Sequence, residues 1–196
     1  MKMWRGFQLI LCGWLFCALL PATAAAEMRT MTLANDMSIN LPDNWRVAPP
    51  EPGGPQFMAV AVDKEDKPFG MVMVNQLPLG PDDESLTQDR LPQLNPEERE
   101  SFLDEMEASL RYELDSGIVP LSIRQILSKE IKSLNGFNAA SVTAALDAGG
   151  NGVIMEVVVI VFSDRAVQLQ IWCEEAHYQE HGREMADIVN SFKAGK

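Results

Sequence analysis

Leu134-Asn135-Gly136-Phe137 and, further on, Val157-Val158-Val159-Ile160-Val161-Phe162 decide the fold. Asn-Gly accepts the two positive-φ positions of a two-residue hairpin turn, so Ile123–Leu134 and Phe137–Leu146 are expected to pair. Asp147 to Gly152 supplies a second, glycine-rich turn. The strand that follows, Gly152 to Ser163, is too apolar to have one wet face, so it belongs in mid-sheet with both faces covered. Ser163-Asp164-Arg165 turns again, and Ala166 to Cys173 returns with Val167, Leu169, Ile171 and Cys173 on one face. Gln168, Gln170 and Trp172 take the other and are candidates to line a groove, although a second helix layer explains Trp172 equally well. Four consecutive strands joined by short turns make an antiparallel meander.

Two amphipathic helices are expected to cover this sheet, one on each face. Asn95-Pro96-Glu97-Glu98 is a helix start, with a capping residue, a proline at the first helical position and a glutamate closing a capping box. Phe102, Leu103, Met106, Leu110 and Leu114 follow at helical spacing, and Gly117 suits the stop. The second helix spans Glu174 to Lys193, with Tyr178, His181, Met185, Ile188 and Phe192 as its stripe and Lys193 and Lys196 at its negative end. Upstream, Met28–Leu33 and Met37–Leu41 read as a hairpin around Asn35-Asp36, and Pro42 to Trp45 as a turn. Ala48–Pro55 should be irregular. Phe57–Val62 and Phe69–Val74 read as strands around a charged turn, Leu77–Asp83 as a loop and Glu84–Leu91 as a short helix. The fold class is α+β: an antiparallel meander covered by two long helices, an α/β/α sandwich forming a single domain over 27–196.

Residues 1–26 have the layout of a cleaved signal peptide: Lys2 and Arg5, an apolar run from Phe7 to Leu20, then Pro21 and a small-residue stretch. The run is roughly 14 residues, short of the ~20 that span a bilayer, which argues against an uncleaved anchor. Cys12 and Cys17 lack the small preceding residue that lipid attachment favours. Cleavage before Ala25 and before Glu27 both fit. The expected location is periplasmic or secreted, in a bacterium, with no membrane insertion after cleavage.

Removing that segment takes away two of the 16 basic residues and none of the 28 acidic ones, moving the formal charge from −12 to −14. A chain this acidic is repelled by nucleic acid and by anionic membrane surfaces; its charge serves solubility and permits a basic partner or cation binding. Cys173 is the only cysteine left, so no internal disulfide forms.

The element order resembles the PsbP-like superfamily of small α/β/α sandwich proteins, which includes bacterial DcrB-like exported proteins and a Ran-binding nuclear import factor. The residues that carry the resemblance are Ile39-Asn40-Leu41-Pro42-Asp43-Asn44-Trp45, Asn135-Gly136, the meander, and a last helix ending in Ile188-Val189-Asn190-Ser191-Phe192. These are turn and core residues. The resemblance implies a non-catalytic accessory or binding role and offers no site motif to match.

His177-Tyr178-Gln179-Glu180-His181 fits H-x-x-E-H, the inverted zinc-protease motif. Two histidines four apart on a helix can share a metal, and Glu174 is the candidate third ligand of a plain zinc site. A catalytic zinc needs another ligand, and few residues follow His181. Cys173 reads as a small buried hydrophobe, since a nucleophilic thiol needs a base and a lowered pKa. Glu97, Glu100, Asp104 and Glu105 form an acidic helix face able to dock a basic partner in an envelope complex. Asp82-Asp83-Glu84 and Asp63-Glu65-Asp66 lack the ligand spacing of a calcium loop. No nucleophile elbow, phosphate-binding glycine loop or C-x-x-C occurs. The expectation is a non-catalytic accessory or binding protein without a cofactor, with a metal-binding protein as the alternative.

Overall fold

A computed structural model describes residues 28–49, 54–78, 87–116, 121–162 and 164–194. The leader segment, Asp82-Asp83-Glu84, Gly117 and Lys196 lie outside these residues. The strands are β1 (Met28–Thr32), β2 (Ser38–Pro42), β3 (Trp45–Val47), β4 (Phe57–Val62), β5 (Pro68–Pro78), β6 (Leu121–Leu134), β7 (Phe137–Ala148), β8 (Asn151–Val161) and β9 (Arg165–Glu174). The helices are α1 (Pro96–Ser116) and α2 (Glu175–Ser191).

β3 to β9 form one seven-stranded antiparallel sheet in the order β3-β4-β5-β9-β8-β7-β6, while β1 and β2 form a separate hairpin. The meander β6-β7-β8-β9 is therefore as expected, and β9 joins it to the N-terminal strands by pairing with β5. β8 sits between β7 and β9, which accounts for its apolar run. Asn135 (φ 48) and Gly136 (φ 87) hold the left-handed positions of the β6–β7 turn. The β1–β2 hairpin closes over Ala34–Asp36, with Asn35 and Asp36 both at φ 56.

Each sheet face has its own core. On one face, α2 and the β1–β2 hairpin cover the sheet: Met185, Ile188, Val189 and Phe192 pack with Met37, Ile39, Leu41 and Trp45 against Val158, Ile160, Leu169 and Ile171. On the other face, Leu110 of α1 packs against Val142, Ala144, Leu146, Val153, Met155 and Val157, with Met106 and Leu114 beside it. Burying side chains of this kind stabilises by roughly 1.5–3 kcal/mol each. The α1 capping box is formed: Glu98 N donates to Asn95 Oδ1 and Asn95 N to Glu98 Oε2, both at 3.0 Å.

Three expectations need correction. Tyr178 is not buried with the rest of the α2 stripe: it is 38% exposed, while Val189, about three turns further on, is buried as well. β5 does not end at Val74 but pairs with β9 as far as Pro78, so Leu77 and Pro78 are strand; the rest of the expected loop, 79–83, lies outside the described residues. The described part of the expected helix at 84–91 is a turn ending in a short 3-10 helix at Leu91–Gln93. There the Gln88 side chain bonds the ends of β7 and β8 through Asn138 and the Val161 carbonyl, fixing the chain in place.

The outer strand β6 is long and would present an open edge. Register shifts around Arg124 and Leu127 interrupt it, and Arg124, Lys129 and Lys132 place charge along it. Bulges and charged side chains are the usual protection against edge-to-edge association.

Candidate functional site

The sheet positions one groove. α1 packs on β6 and β7 and leaves β9, β5 and part of β8 less fully covered on that face. A groove of about 290 Å³ opens between the helix and these strands. The sheet face around it follows from register, and of that face Leu77, Val157, Val159 and Gln168 form the floor. Val159, Gln168 and Asn75 lie opposite one another across β8, β9 and β5; Val157, Gln170 and Met73 form the next row, and Met155, Trp172 and Met71 the next. Met71 and Met73, with Met58 and Val60 of β4 opposite them, are half-buried and continue an apolar surface beyond the groove.

Helical spacing sets the wall. Phe102, Met106 and Leu110 point apolar groups into the groove, while Glu105, Ser109 and Glu113 run along its rim at four-residue intervals. Gln168 is 8% exposed and Gln170 9%. Gln170 Nε2 lies 3.5 Å from Glu113 Oε2. The Gln168 side-chain amide makes no hydrogen bond to another described residue, although it lines the groove. Strand alternation put Gln168, Gln170 and Trp172 on one face, but of the three only Gln168 lines the groove, while Trp172 packs against the core beneath α1.

The acidic face of α1 divides in two. Asp104 and Glu107 take Lys129 of β6 between them, and Glu107 also binds Arg111 at 2.7 Å. The Arg111 and Lys129 hydrogen bonds hold the Glu107 carboxyl below its ordinary range. Bonds to Asp104 and Glu107 raise the Lys129 ammonium. Glu97 and Glu100 sit in two larger, more open depressions of about 420 and 400 Å³ that also contain Arg90, Arg99 and Lys129, so that end of the face carries mixed charge. Glu105 makes no ion pair among the described residues and lines both the groove and the depression that contains Arg90 and Glu97.

His177 and His181 are brought together on α2, with ring centroids 6.3 Å apart. Both rings lie against Phe69 of β5, at 5.0 and 4.5 Å. Glu174 Oε2 is 3.9 Å from His177 Nε2, and Glu184 Oε2 is 3.6 Å from His181 Nδ1. Among the described residues no group of three His, Cys, Asp or Glu side chains is arranged to hold a metal. Sequence spacing brought out the pair but not Phe69, which a distant strand supplies.

Cys173 is fully buried beneath α2. Burial, and then the charges of Glu174 and Glu184, push its thiol up to about 12, so it carries no thiolate at neutral pH. Asp63 Oδ1 accepts the backbone N–H groups of Lys67 at 2.9 Å and Glu65 at 2.8 Å, and the Lys67 bond is the main cause of its lowered pKa. Glu65 pairs with Lys67 and Asp66 with Arg46, so these carboxylates close a turn. Among the described residues no helix is long and apolar enough to cross a membrane.

A meander with one helix layer on each face and a hairpin beside the C-terminal helix is a PsbP-like fold. The solution structure of cyanobacterial PsbP (CyanoP) from Synechocystis sp. PCC 6803 matches with a TM-score of 0.53 at 11% identity, over 88% of this chain and 95% of that one. LpqN, a Mycobacterium tuberculosis protein described as involved in cell envelope biogenesis, matches with 0.52 at 13% identity, over 84% and 87%. A Bacteroides thetaiotaomicron protein matches with 0.52 at 10% identity over 86% of this chain, which spans only 48% of that longer one. No protein-family model and no curated protein matches the sequence. At these identities the likeness concerns the fold.

Proposed function

We propose that this chain is a non-catalytic accessory or binding protein that works outside the cytoplasmic membrane, periplasmic or secreted, and docks a protein partner in the cell envelope. The observation that carries the reading is the groove: one face of the sheet is only partly roofed by α1, and an apolar floor is left beside acidic side chains. Surfaces of this composition, apolar in the middle and charged at the rim, are what protein interfaces use. The leader-like segment 1–26 supports export, and the fold shared with an envelope-biogenesis protein supports the compartment.

The test is capture from the native cell envelope at low salt, with a C-terminal tag that contains no histidine. A stoichiometric partner released by salt supports the reading, since contacts between exposed charges are screened. Turnover of a substrate, stopped by one point substitution that leaves the fold intact, would overturn it.

A further inference from the structure

We infer that the groove between α1 and strands β5, β8 and β9 receives a cationic amphipathic segment of a partner protein. This inference rests on the accessory-binding reading and names the chemistry of its partner. Glu105, Ser109 and Glu113 run along one rim, over about 12 Å of helix at 1.5 Å per residue. That length matches about two turns of a docked helix or a few residues of extended chain, more than a single small group needs.

Two chemistries meet across the groove. Phe102, Met106, Val157 and Val159 offer apolar surface to the segment's apolar side chains. Glu105 and Glu113 place carboxylates where its lysines or arginines would emerge. The nearest cations on α1 and β6, Arg111 and Lys129, are drawn toward Glu107 and Asp104, and neither lines the groove. The formal charge of −12 adds long-range attraction for a basic partner and repels an acidic one. The Gln168 amide is the second, independent sign. It is more than nine-tenths buried, lines the groove and has no partner among the described residues. Its amide atoms are not sealed from water but open into the groove, where a docked backbone would take the place of water on its donor and acceptor.

The probe is a fluorescein-labelled 14-residue peptide of leucine and lysine in helical amphipathic order, titrated with the purified full chain and read by anisotropy. A scrambled peptide of the same composition is the control. Saturable binding of the amphipathic peptide alone is expected, weakened about tenfold or more by Glu105→Lys with Glu113→Gln. Glu97→Lys with Glu100→Gln makes the same charge change elsewhere on α1 and should alter binding by less than about twofold, as for a remote rim charge. Gln168→Leu, which removes only the amide, should weaken binding without changing its salt dependence. Circular dichroism and a urea midpoint show that each variant is folded. Equal weakening by both charge pairs, or equal binding of the scrambled peptide, would overturn the inference. So would a concentration-dependent dimer lost in the Glu105/Glu113 variant, since a second copy would then be the occupant. A native partner still captured by that variant would also overturn it while leaving the accessory reading standing. Failure to capture any native partner would count against the accessory reading instead.

Discussion

Glu184 Oε1 of α2 accepts the indole N–H of Trp45 at 2.8 Å, joining residues 139 apart in sequence. Trp45 is fully buried, so this bond satisfies a donor that water cannot reach. Glu184→Ala should lower stability by about 1–3 kcal/mol, the cost of leaving such a group unpaired. Glu184→Gln keeps an acceptor and should cost less. Urea unfolding followed by tryptophan emission measures both, and equal midpoints for the wild type and the alanine variant would show that the bond contributes nothing.

Asn135 does more than turn the β6–β7 hairpin. Its side-chain amide donates to the carbonyls of Asn190 and Phe192, both at 2.6 Å, and so caps the C-terminal end of α2. Asn135→Gly relieves the positive φ of 48° but loses the cap, while Asn135→Ala loses both. The expected order of thermal stability is wild type, then glycine, then alanine, with the alanine loss on the order of 1–3 kcal/mol. A glycine variant as stable as wild type would mean that the cap is idle.

The Asn135 pair marks where sequence reading ended. Asn-Gly was legible because its backbone demand is local. The apolar run in β8 and the capping box at Asn95 were legible for the same reason. The bonds to Asn190 and Phe192 were not, because they depend on how α2 is laid across the sheet. The candidate site divides likewise. Strand alternation placed Gln168, Gln170 and Trp172 on one face, and helical spacing placed the glutamates of α1. Which glutamates face Lys129 and which face the groove follows from the packing angle of the helix. Tyr178 lies within about 20° of Val189 around the helix, so spacing gives the stripe but not how far along α2 the neighbouring elements cover it: Val189 is buried and Tyr178, about three turns earlier, is exposed.

The Lys129 cluster sets a pH window. Glu107 has a lowered pKa, so its contribution is fully present above its ordinary value of 4.5 and is lost as pH falls through the lower folded value. Lys129 has a raised pKa, so its contribution is present below its ordinary 10.5 and is lost as pH rises through the higher folded value. Stability from this cluster should therefore be flat between those two ordinary values and fall outside them. Lys129→Met should cost up to about 1 kcal/mol at neutral pH, as for partly exposed pairs. It should also make the acid-side decline of the midpoint less steep. An unchanged acid limb in the variant would remove the cluster from the account.

The Cys173 thiol should stay unlabelled by a disulfide reagent at pH 8 while the chain is folded, and react once urea unfolds it. Burial and a pKa of about 12 act in the same direction here. Cys173→Ala should be tolerated at a cost of about 1 kcal/mol, and Cys173→Ser should cost more because it buries a hydroxyl. Rapid labelling of the folded protein would show that the α2 layer opens readily.

His177 and His181 are tested by zinc. Stacking on Phe69 fixes both rings, and the nearest carboxylates, Glu174 and Glu184, approach different rings rather than a common point. Tetrahedral zinc needs donors converging at about 2.0–2.2 Å, and here Glu174 and Glu184 each approach a different imidazole. The expected result is an unchanged melting temperature in excess zinc, with Phe69→Ala destabilising the protein by roughly 3–5 kcal/mol, as for a buried aromatic. A melting temperature raised by zinc and returned to baseline by His181→Ala would instead establish a metal site on α2. Zinc content near one per chain after purification without a histidine tag would point the same way, because a weak surface pair would lose its metal during dialysis.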